Sequence, residues 1–262
     1  MNIVNIMKSL IITLSMYTSI PMPAVRWEEK YLKYCMCFLP AAGLLAAAAQ
    51  WLLLLLCRIF SVSESLYAAL FCALTVLITG GIHIDGLIDT SDALGSHGTK
   101  EKKLQILADP HAGAFGIAGV VLYFLVLYGT AAQLYEGGAL ENLRSAGAVF
   151  SSFLISRALT AIFVVRLDPS KKSGLLYTFS SVSAVKAVTV SSAAVLALCA
   201  VFILRSLGLS ALLPAAAAAL CAGYFVRMVR KQFGGISGDL CGWFIHMSEL
   251  LMLLGFAASH VI

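Results

Sequence analysis

The chain has 262 residues, 60% of them hydrophobic and 12% charged, and its mean hydropathy is +0.93. So few polar groups cannot cover the surface of a water-soluble domain, which excludes an ordinary soluble fold. The net charge of +5 is spread over connecting segments, with no basic tract interleaved with aromatics, and this argues against nucleic acid as a partner.

From the amino terminus, residues 1–20 form an apolar run with a single lysine, followed by Pro21-Met22-Pro23 in place of a small-residue cleavage site. We expect a retained helix that is interfacial or partly inserted. Seven stretches then have the length and apolarity of membrane spans: 38–57, 66–82, 113–135, 146–165, 187–205, 209–226 and 241–261. Backbone groups in lipid must bond to one another, and no barrel-like alternation is present, so the expected fold is all-α: a polytopic helical bundle forming a single domain over 1–262. Its seven cysteines are scattered through apolar runs at no metal-binding spacing and are read as small hydrophobes.

The orientation follows from the lysines and arginines of the connecting segments. Fourteen fall on one side: Lys8, Arg26, Lys30, Lys33, Lys100, Lys102, Lys103, Arg166, Lys171, Lys172, Lys186, Arg227, Arg230 and Lys231. Three fall on the other, Arg58, Arg144 and Arg205, and only Arg157 lies inside a span. Positively charged loops stay cytoplasmic, so the amino terminus is expected inside and the carboxyl terminus outside.

The second span runs into Thr79-Gly-Gly-Ile-His-Ile-Asp-Gly-Leu-Ile-Asp-Thr-Ser-Asp-Ala-Leu-Gly95, with three aspartates in eight residues at a membrane boundary. On a helix the spacings of four and three put Asp85, Asp89 and Asp92 on one face. Like charges that close repel unless a cation sits among them, and a carboxylate set of this kind suits Mg²⁺ completed by substrate phosphate. The alternative is aspartates that cap a helix or face water. Gly80, Gly81 and Gly86 allow close approach of a ligand or a neighbouring helix. His83 is a candidate phosphate contact or proton carrier, against a purely structural hydrogen bond. Asp109, at the glycine-punctuated entry to the third span, is either a further carboxylate of the site or a helix cap.

The last basic loop repeats the theme in Gly234-Gly-Ile-Ser-Gly-Asp-Leu-Cys-Gly242. Gly234 and Gly235 are assigned to substrate binding and Asp239 to the metal. Glu249 lies ten residues deeper, and an ionisable group at that depth is a functional candidate. It is assigned to the metal and Arg157, its natural partner, to substrate, against a purely structural ion pair. His246 sits one turn before Glu249.

The string Gly80–Gly95 resembles the most characteristic motif of the cobalamin synthase family, the adenosylcobinamide-GDP ribazoletransferases. Tyr17–Pro23, Phe38–Gly43, Leu104–Gly116, Ser156-Arg157, Gly174 with Phe179, and Gly234–Glu249 resemble its other blocks in order, so nearly the whole chain is covered. The resemblance implies a late step of cobalamin (vitamin B12) biosynthesis. In it the 5′ end of α-ribazole, or of its 5′-phosphate, attacks the cobinamide-linked phosphate of adenosylcobinamide-GDP and GMP leaves. It also implies a Mg²⁺-dependent enzyme integral to the membrane. The lysine and arginine count puts the site on the cytoplasmic side of what we expect to be the bacterial inner membrane, and a homo-oligomer is a possible assembly. In that chemistry Asp85, Asp89 and Asp92 would hold Mg²⁺ on the pyrophosphate, Asp239 would complete the shell, and a carboxylate or His83 would take the acceptor's proton. The chain departs from the family pattern at His246, where a carboxylate is usual, at Pro110-His111, and at Leu176, where a second glycine is usual. Two alternatives are a CDP-alcohol phosphotransferase, whose Asp-Gly then Ala-Arg pattern is absent, and a cation-coupled transporter, which generally carries paired repeats and ionisable groups near the midplane.

Overall fold

A computed structural model describes residues 3–259, so the last residues of the seventh predicted span lie outside the described residues. The fold is all-helical, and the only β pairing among the described residues is a single parallel bridge between Pro169 and Ile236. In chain order the helices are α1 (Ile3–Tyr17), α2 (Glu29–Leu32), α3 (Leu39–Ile59), α4 (Glu64–Leu77), α5 (Ile82–Gly95), α6 (Lys100–Ile106) and α7 (Ala114–Glu136). They continue with α8 (Leu143–Phe150), α9 (Ser152–Arg166), α10 (Leu175–Val182), α11 (Val185–Leu207), α12 (Leu212–Met228) and α13 (Gly238–Ser259).

Five helical stretches are long and apolar enough to cross a bilayer: Glu29–Ile59, Ala114–Glu136, Leu143–Arg166, Val185–Phe233 and Gly238–Ser259. A sixth arises if α4 and α5, bent by 92° at their junction, count as one broken span. The difference from the seven expected spans lies in Val185–Phe233, which holds two of them in 49 residues of unbroken helical assignment. At 1.5 Å per residue that is roughly 70 Å, more than twice the hydrocarbon thickness of about 30 Å. Gly208, with φ +58°, divides it into α11 and α12.

In lipid the burial of apolar surface between helices gives little drive, so close packing and internal polar contacts hold the bundle. Gln50 on α3 donates to the Phe71 carbonyl (3.1 Å) and to the Thr75 hydroxyl (3.2 Å) of α4. Leu52, Leu55, Leu122, Leu125, Leu198 and Val201 are exposed, as lipid-facing positions should be. The amino-terminal helix is packed on the bundle through hydroxyls: Ser9 donates to the Tyr31 carbonyl (2.6 Å) and Thr13 to that of Cys35 (2.9 Å).

Segments expected on one side of the membrane meet one another. Lys103 Nζ bonds Gln232 Oε1 (2.5 Å), the Ala184 amide bonds the Lys33 carbonyl (2.9 Å), and Ser170 and Ile236 pair through their backbones (2.9 Å). At the opposite end Arg58 donates to the carbonyls of Leu140 and Glu141.

Candidate active site

The site begins where α4 stops. Thr79-Gly80-Gly81 turns the chain through 92°, and Gly81, at φ +82°, adopts the left-handed conformation that only glycine takes cheaply. The carbonyls released at the end of α4 are taken up by Ser19, whose amide bonds Ile78 O (2.9 Å) and whose hydroxyl bonds Leu77 O (2.5 Å). The turn thus tethers the end of the amino-terminal segment to the start of α5.

Helix α5 carries the aspartates in a gradient of burial: Asp85 is exposed, Asp89 half-buried and Asp92 buried. It crosses α13 at a contact made by glycines. A Cβ on Gly86 would lie 2.5 Å from the Asp239 carbonyl oxygen, and one on Gly242 would lie 2.9 Å from the His83 carbonyl oxygen. Backbone therefore meets backbone, and Asp239 stands beside the aspartates of α5. The charges of Asp85, Asp239, Asp92 and Asp109 all act on the Asp89 carboxyl, so five carboxylates from three parts of the chain share one neighbourhood. The close approach foreseen for Gly86 is thus to a neighbouring helix.

Asp92 has a further task. Its Oδ2 accepts the Gly113 amide (2.6 Å) and its Oδ1 the Gly116 amide (2.8 Å), so this carboxylate caps the first turn of α7. The cap considered for Asp109 is supplied by Asp92 from another helix. Asp109 is exposed and folds back on His111, accepting from its ring Nδ1 (2.8 Å) and its amide (3.0 Å). Those two bonds, the ring first, hold its carboxyl below the usual carboxylate range.

Beside the carboxylates opens a cavity of about 320 Å³. Asp85, Asp239, Ser170, Lys171 and Ser173 line it together with apolar groups, among them Met16, Met36, Val164, Phe179 and Ile245. His83 is 3% exposed, neither ring nitrogen has a partner, and its ring stacks on Tyr17 with centroids 6.1 Å apart. Both nitrogens are themselves buried, and the structural bond considered for His83 is absent among the described residues. Gly235 is covered by the 168–174 segment: a Cβ there would lie 2.5 Å from the Ser170 amide nitrogen. Gly234, at φ +69°, has the Lys100 ammonium group against it. Gly80 and Gly81 have no protein group closer than the Ser19 side chain and belong to the turn.

Arg157 and Glu249 form an ion pair, each 2% exposed. Ser156 donates to the same Glu249 oxygen (2.7 Å), and Arg157 also bonds Ser156 Oγ (3.1 Å) and the Phe153 carbonyl (3.2 Å). The two residues are absent from the cavity lining, so the structure brings neither Arg157 to the substrate space nor Glu249 to the aspartates. Their geometry is that of the structural pair. His246, fully buried, bonds Tyr123 Oη through Nδ1 (2.9 Å) and lies edge-on to His83 at 6.0 Å.

Among the described residues no three His, Cys, Asp or Glu side chains converge tightly enough to hold a metal by themselves. The five-ligand shell read from the sequence is thus not assembled: Glu249 is committed to Arg157, and Asp92 gives a lone pair of each oxygen to α7. Asp85, Asp89 and Asp239, which cap no other helix, form an all-oxygen set with the remaining lone pairs of Asp92. It fits Mg²⁺, which takes one or two carboxylates and fills its octahedron with water and substrate phosphate.

Sequence reasoning missed the 168–174 segment and Tyr17 as cavity walls. Lys171 was counted only as a topological charge, and its place followed from nothing local: the Pro169–Ile236 bridge, which seats the segment on the Gly234–Gly242 entrance, joins residues 67 positions apart. The available signals are the glycine-rich segments of two basic loops and the family-like blocks at Tyr17–Pro23 and at Gly174 with Phe179, since Tyr17, Gly174 and Phe179 all line the cavity.

A family model described as cobalamin-5-phosphate synthase matches residues 9–257. Curated proteins named adenosylcobinamide-GDP ribazoletransferase align over almost the full chain. The one from Lachnoclostridium phytofermentans is 34% identical over 245 residues, covering 94% of this chain and 91% of that protein. Those from Clostridium botulinum and Clostridium perfringens are 33% and 32% identical, covering 95% of this chain and 96% and 97% of theirs. No solved structure matches.

Proposed function

The chain belongs to the cobalamin-5-phosphate synthase family, and from that premise we propose that its α5–α13 site joins adenosylcobinamide-GDP to α-ribazole or α-ribazole 5′-phosphate. It is a membrane-embedded transferase acting at the final step of cobalamin synthesis. The observation that carries the site assignment is the crossing at Gly86 and Gly242, where the Asp85–Asp92 face meets Asp239 at the mouth of the cavity.

In the reaction, a hydroxyl of the acceptor forms a bond to the cobinamide-linked phosphorus. The bond from that phosphorus to the bridging oxygen breaks, GMP leaves with the electron pair, and the hydroxyl proton is released. The attacking atom differs from the 5′ end implied by the family resemblance. A 5′-phosphorylated acceptor keeps that phosphate in the product, so its 5′ oxygen is blocked and a ring hydroxyl of the ribose must attack.

One or two of Asp85, Asp89 and Asp239 would hold Mg²⁺, with water and substrate phosphate completing its shell, and the ion would offset charge on the pyrophosphate and the departing phosphate. Asp92 keeps α7 locked to α5 and so orients the carboxylate face. Lys171 acts electrostatically on Asp239 and lines the same cavity, where it supplies a positive charge for an anionic substrate. His83 lines the cavity and its ring is buried without a hydrogen-bond partner, so we assign it to the substrate at the buried wall. The distribution of basic loops supports a site facing the cytoplasm.

Membranes containing the protein, given adenosylcobinamide-GDP, α-ribazole and Mg²⁺, release GMP and form adenosylcobalamin. Failure with both forms of the acceptor would favour a transporter that uses the same carboxylates for a cation.

A further inference from the structure

The cavity beside the carboxylates has an uneven chemistry. Its charged groups, Asp85, Asp239 and Lys171, stand at its mouth, at the starts of α5 and α13 and on the 168–174 segment. Ile245 lies seven residues beyond Gly238 on α13, roughly 10 Å farther in at 1.5 Å per residue. The lining also includes Met36, Val164, Thr160 and Tyr17, together with His83, whose two ring nitrogens are buried without a hydrogen-bond partner. Thr160 spends its hydroxyl hydrogen on the Ser156 carbonyl (2.8 Å).

A volume of about 320 Å³ is at the small end of ligand pockets and suits one nucleoside, not a corrin ring with its amide arms. Two nucleosides take part in the proposed reaction. Guanine presents a carbonyl and several N–H donors on one edge, and buried beyond the mouth it would find no carboxylate or amide side chain to satisfy them. A dimethylbenzimidazole has apolar faces, two methyl groups and a single free ring nitrogen that only accepts. One N–H donor, the unpartnered His83 ring, matches that nitrogen, and the apolar wall matches the rest.

We propose that this cavity is the acceptor subsite, which takes the α-ribazole base inward, between Val164 and Ile245 and against His83, and leaves the ribose hydroxyls at the Asp85–Asp239 mouth. The assignment rests on the function proposed above and adds which substrate fills which space. It makes Val164 and Ile245 determinants of base size, and it leaves the guanosine and corrinoid portions outside the cavity.

The test uses the full-length protein in detergent or nanodiscs, with Val164→Phe to fill the cavity and Ile245→Ala to widen it. For Val164→Phe, kcat/KM with α-ribazole falls by about tenfold or more, the scale of a one- or two-carbon clash in a fitted pocket, while benzimidazole riboside, lacking both methyl groups, loses only about threefold. The KM for adenosylcobinamide-GDP stays at its original value. Ile245→Ala shifts the preference the other way, towards bulkier bases, and a misfolded variant produces neither shift. Equal losses for the two acceptors, or a rise in KM for adenosylcobinamide-GDP instead, would overturn the assignment. Equilibrium dialysis of α-ribazole against the unaltered protein and Val164→Phe separates subsite from function. Binding weakened by the variant in a protein that releases no GMP keeps the subsite and removes the proposed reaction. Binding indifferent to the variant in a protein that turns over removes the subsite alone.

Discussion

Gly86 lies directly on the backbone of Asp239, so closely that a Cβ at residue 86 would come within 2.5 Å of the Asp239 carbonyl oxygen and 2.9 Å of its Cα. The obstruction is backbone, which cannot rotate aside as a flexible side chain can. Substitution at this position therefore has to move one helix.

Gly86→Val is expected to separate α5 from α13, abolish GMP release and lower the thermal midpoint, with an overpacking cost of about 1–3 kcal/mol. Near-normal turnover in a Gly86→Val protein of unchanged stability would show that the crossing does not assemble the site.

Asp89 and Asp92, three residues apart, should respond differently to the same change. In Asp89→Asn the expected loss is Mg²⁺-dependent turnover, with folding and membrane insertion retained. Metal titration against GMP release checks this, and wild-type activity in the variant would remove Asp89 from the proposed metal set.

For Asp92→Asn the effect reaches the helix it caps. An asparagine oxygen can accept one of the two amides now held by the carboxylate, leaving the other buried without a partner, at a cost of about 1–3 kcal/mol. Slower hydrogen–deuterium exchange at Gly113 and Gly116 in the unaltered protein than in the variant would report the cap. Equal exchange would refute it.

Arg157 and Glu249 are read as a structural pair. Removing either partner alone, in Arg157→Met or Glu249→Leu, should destabilise the protein by about 3–5 kcal/mol, because the other charge is left buried. The double variant should recover much of the loss and retain turnover. A stable double variant with no activity would return the pair to the catalytic machinery.

Sidedness is checked by a single cysteine at Lys102, on a background whose seven native cysteines are replaced. An impermeant thiol reagent should label it in inside-out vesicles and leave it unlabelled in intact cells. Labelling from outside would reverse the proposed orientation.

Much of this protein was legible without a structure because the bilayer imposes local rules. A stretch such as 113–135 must close its own hydrogen bonds, so its helicity follows from apolarity alone, and α7 spans Ala114–Glu136. The aspartate face of α5 was equally local, since residues four and three apart share a helix face. The meeting of Asp239 with Asp89 belongs to neither rule. It depends on two glycines, Gly86 and Gly242, that let distant helices touch, and glycines are too common in membrane helices for their pairing to be read in advance. The division of labour among the acids was likewise hidden. Asp92 turned to the amides of α7 and Glu249 to Arg157, because each found partners that only the packed bundle brings within reach. Composition and spacing therefore determined a membrane bundle with an acidic helix face. The tertiary structure decided which acids share a site and what stands opposite them, since carboxylates are discriminated by neighbours that lie far away in sequence.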